Sequence, residues 1–320
     1  MLIHYFSQVL FVLIAALIPI AAHGVSESQS DPVVLEKMDT IVTAEWLSQH
    51  LNDPDLVILD CTVRMVPNEG GGMQTVSGRS DYDSGHIPSA GFADLMGNLS
   101  DLESPMDFAL PTPERFCAVM GSLGVGDDSR VVLYDNFNSV WASRVWWMLR
   151  WVGFDRAALL DGGLRAWTAE ERELSTKPPE YKAKHLTPKP RPKLIAYRDE
   201  VFTSIKDDSI SLIDTMNEAH YRGEMALYGR PGHIPSAINI SAMALFDESG
   251  RFRPDDELAA LYEGDRKARV ITYCGAGIAA SSVAFVMVRL GFTDVAVYMA
   301  SLQEWAADPA SPLVVDKPLK

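Results

Sequence analysis

The sequence predicts an α/β protein built twice: two tandem domains, each a parallel sheet with helices on both faces. Three observations predict it. Blocks of residues recur in the same order along the chain, apolar runs of strand length alternate with helical patterns, and a proline-rich stretch separates the two sets of blocks.

Leu56-Val57-Ile58-Leu59-Asp60 recurs as Ile210-Ser211-Leu212-Ile213-Asp214, and Gly85-His86-Ile87-Pro88-Ser89-Ala90 recurs residue for residue as Gly232-His233-Ile234-Pro235-Ser236-Ala237. Val131-Val132-Leu133-Tyr134-Asp135 matches Val270-Ile271-Thr272-Tyr273-Cys274. Val152-Gly153-Phe154 matches Leu290-Gly291-Phe292, and Gly163-Leu164-Arg165-Ala166-Trp167 matches Ser301-Leu302-Gln303-Glu304-Trp305. The short apolar runs ending in Asp60, Tyr134, Asp214 and Tyr273 have the length and β-branched content of strands. Residues 280–290 carry a helical pattern with Val283, Ala284, Val286, Met287 and Leu290 apolar. Strands alternating with helices imply a parallel sheet, whose chemistry sits just past the carboxyl ends of the strands. Residues 38–176 form the first copy and 194–316 the second. Residues 177–193, with Pro178, Pro179, Pro188, Pro190 and Pro192, form an extended linker.

Residues 9–18 are unbroken apolar sequence, followed by Pro19 and the small residues Ala21, Ala22 and Gly24. That is the length of a signal-peptide core and is shorter than the ~20 residues of a spanning helix. It predicts that residues 1–24 are a leader removed on export to the periplasm, with no integral membrane span after processing. The leading residues 1–8 depart from the usual pattern in lacking Lys and Arg.

Apolar residues make up 47% and charged residues 22% of the chain, which excludes disordered and collagen-like classes. Lys and Arg number 28 against 43 Asp and Glu, a net charge of −15 that argues against nucleic acid as a partner. Cys61, Cys117 and Cys274 have neither the number for a disulfide framework nor a Cys-x-x-Cys spacing for metal.

The copies diverge chemically at one point. The matched strand ends in Asp135 in the first and Cys274 in the second, and Gly275-Ala276-Gly277-Ile278-Ala279 leads from Cys274 into a helix. Glycines let successive N–H groups turn toward one place, and a helix start adds unpaired donors and partial positive charge. A thiolate, or an S–S⁻ persulfide of the same charge, is stabilised at that focus. The competing reading is a buried structural thiol.

The two-copy organisation, the Gly-His-Ile-Pro-Ser-Ala loop in each copy, the cysteine loop in the second alone and the closing Glu304-Trp305 resemble tandem-domain rhodaneses, the thiosulfate and 3-mercaptopyruvate sulfurtransferases. The resemblance runs from Ile41 to Pro312 and implies two rhodanese-like domains, the first non-catalytic. It also implies a cycle in which Cys274 takes sulfane sulfur from a small anionic donor, becomes a persulfide and passes the sulfur to cyanide or another thiophile, with no cofactor. Cell-division-cycle-type phosphatases share the fold but need Arg six residues after the cysteine; that position is Ala280.

Departures from the family matter as well. Thiosulfate-preferring members carry basic residues in the cysteine loop, and this loop has none. Mercaptopyruvate-preferring members have Cys-Gly-Ser-Gly, and the serine is here Ala276. Two arginines usual after the strand-end Asp are replaced by Met216 and His220. A bound anion needs its own cation, so Arg222 is expected to swing in for the arginine lost at His220, with protonated His220 helping and Arg230 in reserve. His86 is read chiefly as a brace for its turn; in mercaptopyruvate-type relatives the corresponding histidine lies near the cysteine, which keeps it a site candidate. Asp60 and Asp214 are read as loop braces, Cys61 and Cys117 as core thiols, and Trp141, Trp146, Trp147 and Trp151 as core or interdomain packing. The alternative function is a persulfide carrier that serves a protein partner with slow small-molecule turnover.

Overall fold

The computed structural model describes residues 38–70 and 72–316; the leader expected over residues 1–24 lies outside them. No helix among the described residues is long and apolar enough to cross a membrane. Strands β1 (Ile41–Val42), β2 (Leu56–Asp60), β3 (Val63–Pro67), β4 (Met73–Ser77), β5 (Ala90–Phe92), β6 (Arg130–Tyr134) and β7 (Ala157–Leu160) belong to the first copy. β8 (Ile195–Ala196), β9 (Ile210–Asp214), β10 (Ile238–Asn239), β11 (Arg269–Tyr273) and β12 (Asp294–Tyr298) belong to the second. The sheets run β1-β7-β6-β2-β5 and β8-β12-β11-β9-β10, so each strand of one has its counterpart at the same place in the other. All these pairings are parallel, and the register repeats too: Asp60 faces Tyr134 and Asp214 faces Tyr273. The antiparallel hairpin β3–β4 belongs to the first copy and lies outside its main sheet.

Helices α1 (Ala44–His50), α2 (Arg79–Ser84), α3 (Pro113–Ser122), α4 (Val140–Trp151) and α5 (Gly163–Ala169) connect the first set of strands. Helices α6 (Arg198–Ser204), α7 (Glu218–Tyr221), α8 (Asp255–Ala259), α9 (Ile278–Arg289) and α10 (Ser301–Trp305) connect the second. Because side chains alternate along a strand, each central strand feeds two cores. Leu56 and Ile58 of β2 join a core under α1 and α5, while Val57 and Leu59 point the other way. In β11, Ile271 and Tyr273 join a core under α6 and α10, while Val270, and Cys274 directly after the strand, belong to the core on the other face.

Those opposite faces share one apolar core that runs through both copies. At its centre α4 packs on α9, with the Trp146 ring edge-on to Phe285 at 4.7 Å between centroids. The four tryptophans of α4 are all buried there. Strand parity therefore aims Cys274 at the seam between the domains. Residues 176–191 contain no helix or strand and run back over the first copy: the Ile58 N–H donates to the Tyr181 hydroxyl at 2.8 Å, and the Lys184 N–H to the Gly121 carbonyl at 2.9 Å.

The repeated Gly-His-Ile-Pro-Ser-Ala loops are the same bracket made twice. His86 stacks on Tyr82 and His233 on Tyr221, with centroids 4.0 and 3.7 Å apart. Each Nδ1 lies 2.7 Å from the backbone carbonyl of the tyrosine it stacks on. The tyrosine hydroxyls donate to Ala90 and Ala237 carbonyls, and the Ile87 and Ile234 N–H groups donate to the hydroxyls of Tyr134 and Tyr273. Each histidine also exchanges two backbone hydrogen bonds with the segment that closes its copy, at Ser175 and at Val314.

Cys61 and Cys117 are buried, and desolvation pushes both thiols up, Cys117 to about 12. Asp214 accepts the Met216 N–H at 2.8 Å to shape the turn after β9. Burial disfavours its charge and pushes its carboxyl up to about 6. A carboxyl held above its unfolded-state value costs stability once the unfolded chain ionises, and that cost grows as pH rises toward the folded value. Asp214→Asn should therefore gain stability relative to wild type as pH rises from about 4 to about 7, read as the difference in denaturation midpoints. A difference that does not change over that range would contradict the assignment.

Candidate active site

Cys274 follows directly on β11 and is 2% exposed. Its N–H donates to the Ser301 hydroxyl at 3.1 Å, and that hydroxyl donates to the Tyr298 carbonyl at 2.6 Å. The carbonyls of Cys274 and Gly275 accept the N–H groups of Leu302 and Gln303, each at 3.0 Å. The start of α10 thus clamps the cysteine backbone from the side. Two positions in the loop require glycine. Gly277 has φ +74°, and a Cβ there would lie 2.6 Å from the Met299 carbonyl oxygen. A Cβ on Gly275 would lie 1.8 Å from the Tyr228 hydroxyl, which occupies that space.

The first copy shows what this loop geometry holds. Asp135 stands where Cys274 stands, and its carboxylate is wrapped by four backbone donors. Oδ1 accepts Phe137 and Ser139 N–H at 2.7 and 3.0 Å; Oδ2 accepts Trp141 and Ala142 N–H at 2.8 and 2.9 Å. The carboxyl plugs the loop and the first turn of α4; burial pushes it up to about 7, while the N–H groups of Ala142, Phe137 and Trp141 oppose that shift by favouring the charged form. In the second copy the left-handed cap residue is Gly277, three positions after Cys274, where Ser139 is four after Asp135, so the cysteine loop is one residue shorter. With no carboxylate present, the N–H groups of Ala276, Gly277, Ile278, Ala279 and Ala280 donate to no protein acceptor among the described residues. Ser281 donates its hydroxyl to the Gly277 carbonyl at 2.7 Å, as Ser143 does to Ser139 at 2.6 Å, so the helix starts superpose in kind. Five N–H groups of the loop and the first turn of α9 are thus without a protein acceptor among the described residues, next to one buried thiol.

The other residues expected at the site have different places. Arg222 does not swing toward the cysteine; it pairs with Glu218 one helical turn back on α7, and its carbonyl accepts the Asp316 N–H. Arg230 donates to the carbonyls of Asp308 and Ser311 at 2.8 and 2.9 Å, bracing the C-terminal segment. His220 is buried, with Nδ1 2.7 Å from Asn217 Oδ1, and desolvation holds its ionisation below the usual imidazole range. It therefore presents a neutral ring at pH 7, with an unpartnered Nε2, and does not replace an arginine's charge. His86 sits in the bracket of the first copy, with Nε2 2.9 Å from the Lys177 carbonyl, and both ring nitrogens are committed to backbone.

Three residues that sequence reasoning passed over meet the loop instead. Ser301 anchors the cysteine N–H; its signal was present, because the first copy has Gly163, which carries no hydroxyl, at the matched position. Tyr228 covers Gly275, and burial pushes its phenol up, so it remains protonated. It lies in a stretch with no repeat counterpart, and no sequence signal marks it. Arg144 of α4 crosses from the first copy: Nη1 donates to the Gly277 carbonyl at 3.3 Å and also meets Met299 Sδ, while Nη2 donates to the Phe108 carbonyl at 2.6 Å. Its signal is that it is the sole charge in the apolar stretch 140–149. Among the described residues no cluster of three or more His, Cys, Asp or Glu side chains is arranged to hold a metal.

Comparison with known proteins agrees with this geometry. The rhodanese-like domain family matches residues 43–170 and 198–308, once in each copy. The chain is 32% identical over 286 residues to 3-mercaptopyruvate sulfurtransferase of Escherichia coli O157:H7, covering 87% of this chain and 98% of that protein. It is 30% identical over 322 residues to thiosulfate/3-mercaptopyruvate sulfurtransferase 2 of Arabidopsis thaliana, covering 92% of each. The crystal structure of a 3-mercaptopyruvate sulfotransferase from Escherichia coli superposes with a TM-score of 0.73 at 30% identity, covering 82% of this chain and 99% of that one. A doubled parallel sheet with one plugged and one open strand-end loop, matched over nearly its full length by such relatives, places this chain in the tandem-domain rhodanese family and makes it a sulfurtransferase.

Proposed function

We propose that the sulfur is carried as a persulfide on Cys274. The observation that supports this reading is the Asp135 plug: the same strand-end loop that is filled by a carboxylate in the first copy is left open around a thiol in the second. A persulfide places a negative terminal sulfur one bond beyond Sγ, toward donors that have no other acceptor. The family relatives act on thiosulfate and 3-mercaptopyruvate by name, and both are small anions with a transferable sulfur. With thiosulfate, the Cys274 thiolate attacks the outer sulfur, the S–S bond to the sulfonate breaks, and sulfite leaves with that bond's electron pair. With 3-mercaptopyruvate the C–S bond breaks and the thiol proton ends on the carbon of pyruvate. Cyanide then attacks the terminal sulfur, thiocyanate leaves, and the thiolate is restored. Charge balances at each step without metal or organic cofactor.

The second reading is a persulfide carrier for a protein partner. One observation favours it: Met216 and neutral His220 stand where the family carries arginines, and Arg222 is held by Glu218, so α7 offers a small dianion no free guanidinium. Steady-state cyanide assays separate the two readings. A turnover enzyme sustains thiocyanate production after the first equivalent, and a carrier stops near one. The leader-like residues 1–24 support export, and N-terminal sequencing of the protein from fractionated cells tests it by finding a start after Ala22 or Gly24.

Incubation with thiosulfate or 3-mercaptopyruvate should add one sulfur to the intact mass of the wild-type chain and none to Cys274→Ser. Addition of sulfur to the Ser variant, or to neither protein with either donor, would contradict the persulfide reading. Cys274→Asp should abolish sulfur loading and raise stability by about 1 kcal/mol, the worth of a helix cap, by supplying in the second copy the plug that Asp135 supplies in the first. A lowered melting temperature for that variant would show that the loop donors are not open to an anion.

A further inference from the structure

Arg144 is 1% exposed, and its guanidinium contacts two carbonyls and a thioether but no carboxylate. None of the ion pairs among the described residues includes it, and its Nε is buried without a partner. A buried cation without an anion is costly, and such groups are kept where a counter-charge balances them. The carbonyl that Nη1 holds is that of Gly277, the cap residue of the cysteine loop. Burial pulls this guanidinium down to about 10, and the opposing influence is the negative charge of Cys274. Two other ionisable groups face the same place: the Tyr228 phenol, which burial keeps neutral, and Asp107, whose charge acts on Tyr228. Asp107 is itself tied through its backbone to Gln303, whose N–H holds the Gly275 carbonyl. Arg144 is the cation of this set.

We propose that Arg144 is the buried counter-ion of the sulfur on Cys274, a positioning residue through which the otherwise silent first domain takes part in sulfur transfer. It acts in two ways. Its charge favours the thiolate and the persulfide over the neutral thiol, and its bond to the Gly277 carbonyl fixes the left-handed cap that turns the loop amides inward. The second domain then has its loop but not its full electrostatics until α4 is packed against α9. That explains on physical grounds why a chain with one reactive cysteine retains both copies: the first contributes a charge that the second lacks. The reading rests on Cys274 being the reactive thiol, and the test below uses no sulfur donor, so its failure is separable from failure of the persulfide reading.

The experiment compares full-length wild type, Arg144→Gln and Arg144→Lys. The glutamine keeps a donor for the Gly277 carbonyl and removes the charge; the lysine keeps the charge and loses the forked geometry. Cys274 is alkylated with iodoacetamide, a neutral reagent, at pH 7 and at pH 10, and the rate is read by intact mass, with circular dichroism as the check on folding. Removing a cation near a thiolate should slow Arg144→Gln about tenfold at pH 7 and bring it level with wild type at pH 10. Arg144→Lys should stay within about threefold of wild type at both pH values. A glutamine variant with the wild-type ratio of rates, even one that melts at lower temperature, would reduce Arg144 to a packing role and overturn the proposal. The lysine variant decides the matter alone if the glutamine variant does not fold. A lysine variant that is folded yet about tenfold slower at pH 7 and equal at pH 10 would mean that charge at this position does not govern the sulfur.

Discussion

A parallel strand that ends in a tight loop and a helix start leaves several backbone N–H groups pointing at one buried spot. Left unmet, each such donor costs roughly 1–3 kcal/mol, so the junction calls for an anion. The two halves of this chain answer the same demand differently. Asp135 meets it with four hydrogen bonds of 2.7–3.0 Å. In the second copy the loop donors after Cys274 have no protein acceptor among the described residues, and on the proposed reading a charged sulfur meets them. The open donors are a local sacrifice of stability that the surrounding packing carries, as is usual where a site must bind something transient.

The rest of the fold holds that junction in place by packing and backbone hydrogen bonds. Strand parity turns Cys274 toward the interdomain core, and the α4–α9 contact, with Trp146 edge-on to Phe285, closes the seam behind it. The paired histidine brackets hold the ends of both sheets by the same stacked ring and backbone bonds, which is why that loop survived in both copies without change. Ser301 and the start of α10 fix the cysteine backbone, and Tyr228 fills the space that a side chain on Gly275 would need. Arg144 joins the halves electrostatically as the tryptophans of its helix join them by packing.

Much of this was legible in the sequence. The repeats carried the domain duplication, the matched runs ending in Asp60, Tyr134, Asp214 and Tyr273 carried the central strands, and the Asp135/Cys274 difference marked the loop that the proposed function rests on. What the sequence obscured was pairing between elements far apart in the chain. Arg222 was expected to face the donor because it is close in sequence to the positions of the missing family arginines. The Glu218 four residues before it, at the spacing that pairs on a helix, was the stronger local signal. Arg144 was hidden by its tryptophan neighbours, since a stripe of large apolar residues reads as core and draws attention from the single charge inside it. Tyr228 reaches the loop only through the path of an irregular segment, for which periodicity and repeats say nothing.

On the proposed reading one cradle of N–H groups serves both copies, filled by a carboxyl in the first and by transferred sulfur in the second. A crystal structure of the chain after loading with a sulfur donor tests it most directly. Electron density for one extra sulfur on Cys274 is expected, with that terminal sulfur within hydrogen-bond distance of N–H groups among Ala276, Gly277, Ile278, Ala279 and Ala280, in the place that the Asp135 carboxyl takes in the first copy. A terminal sulfur turned away from the loop, with those donors still unmet, would contradict it.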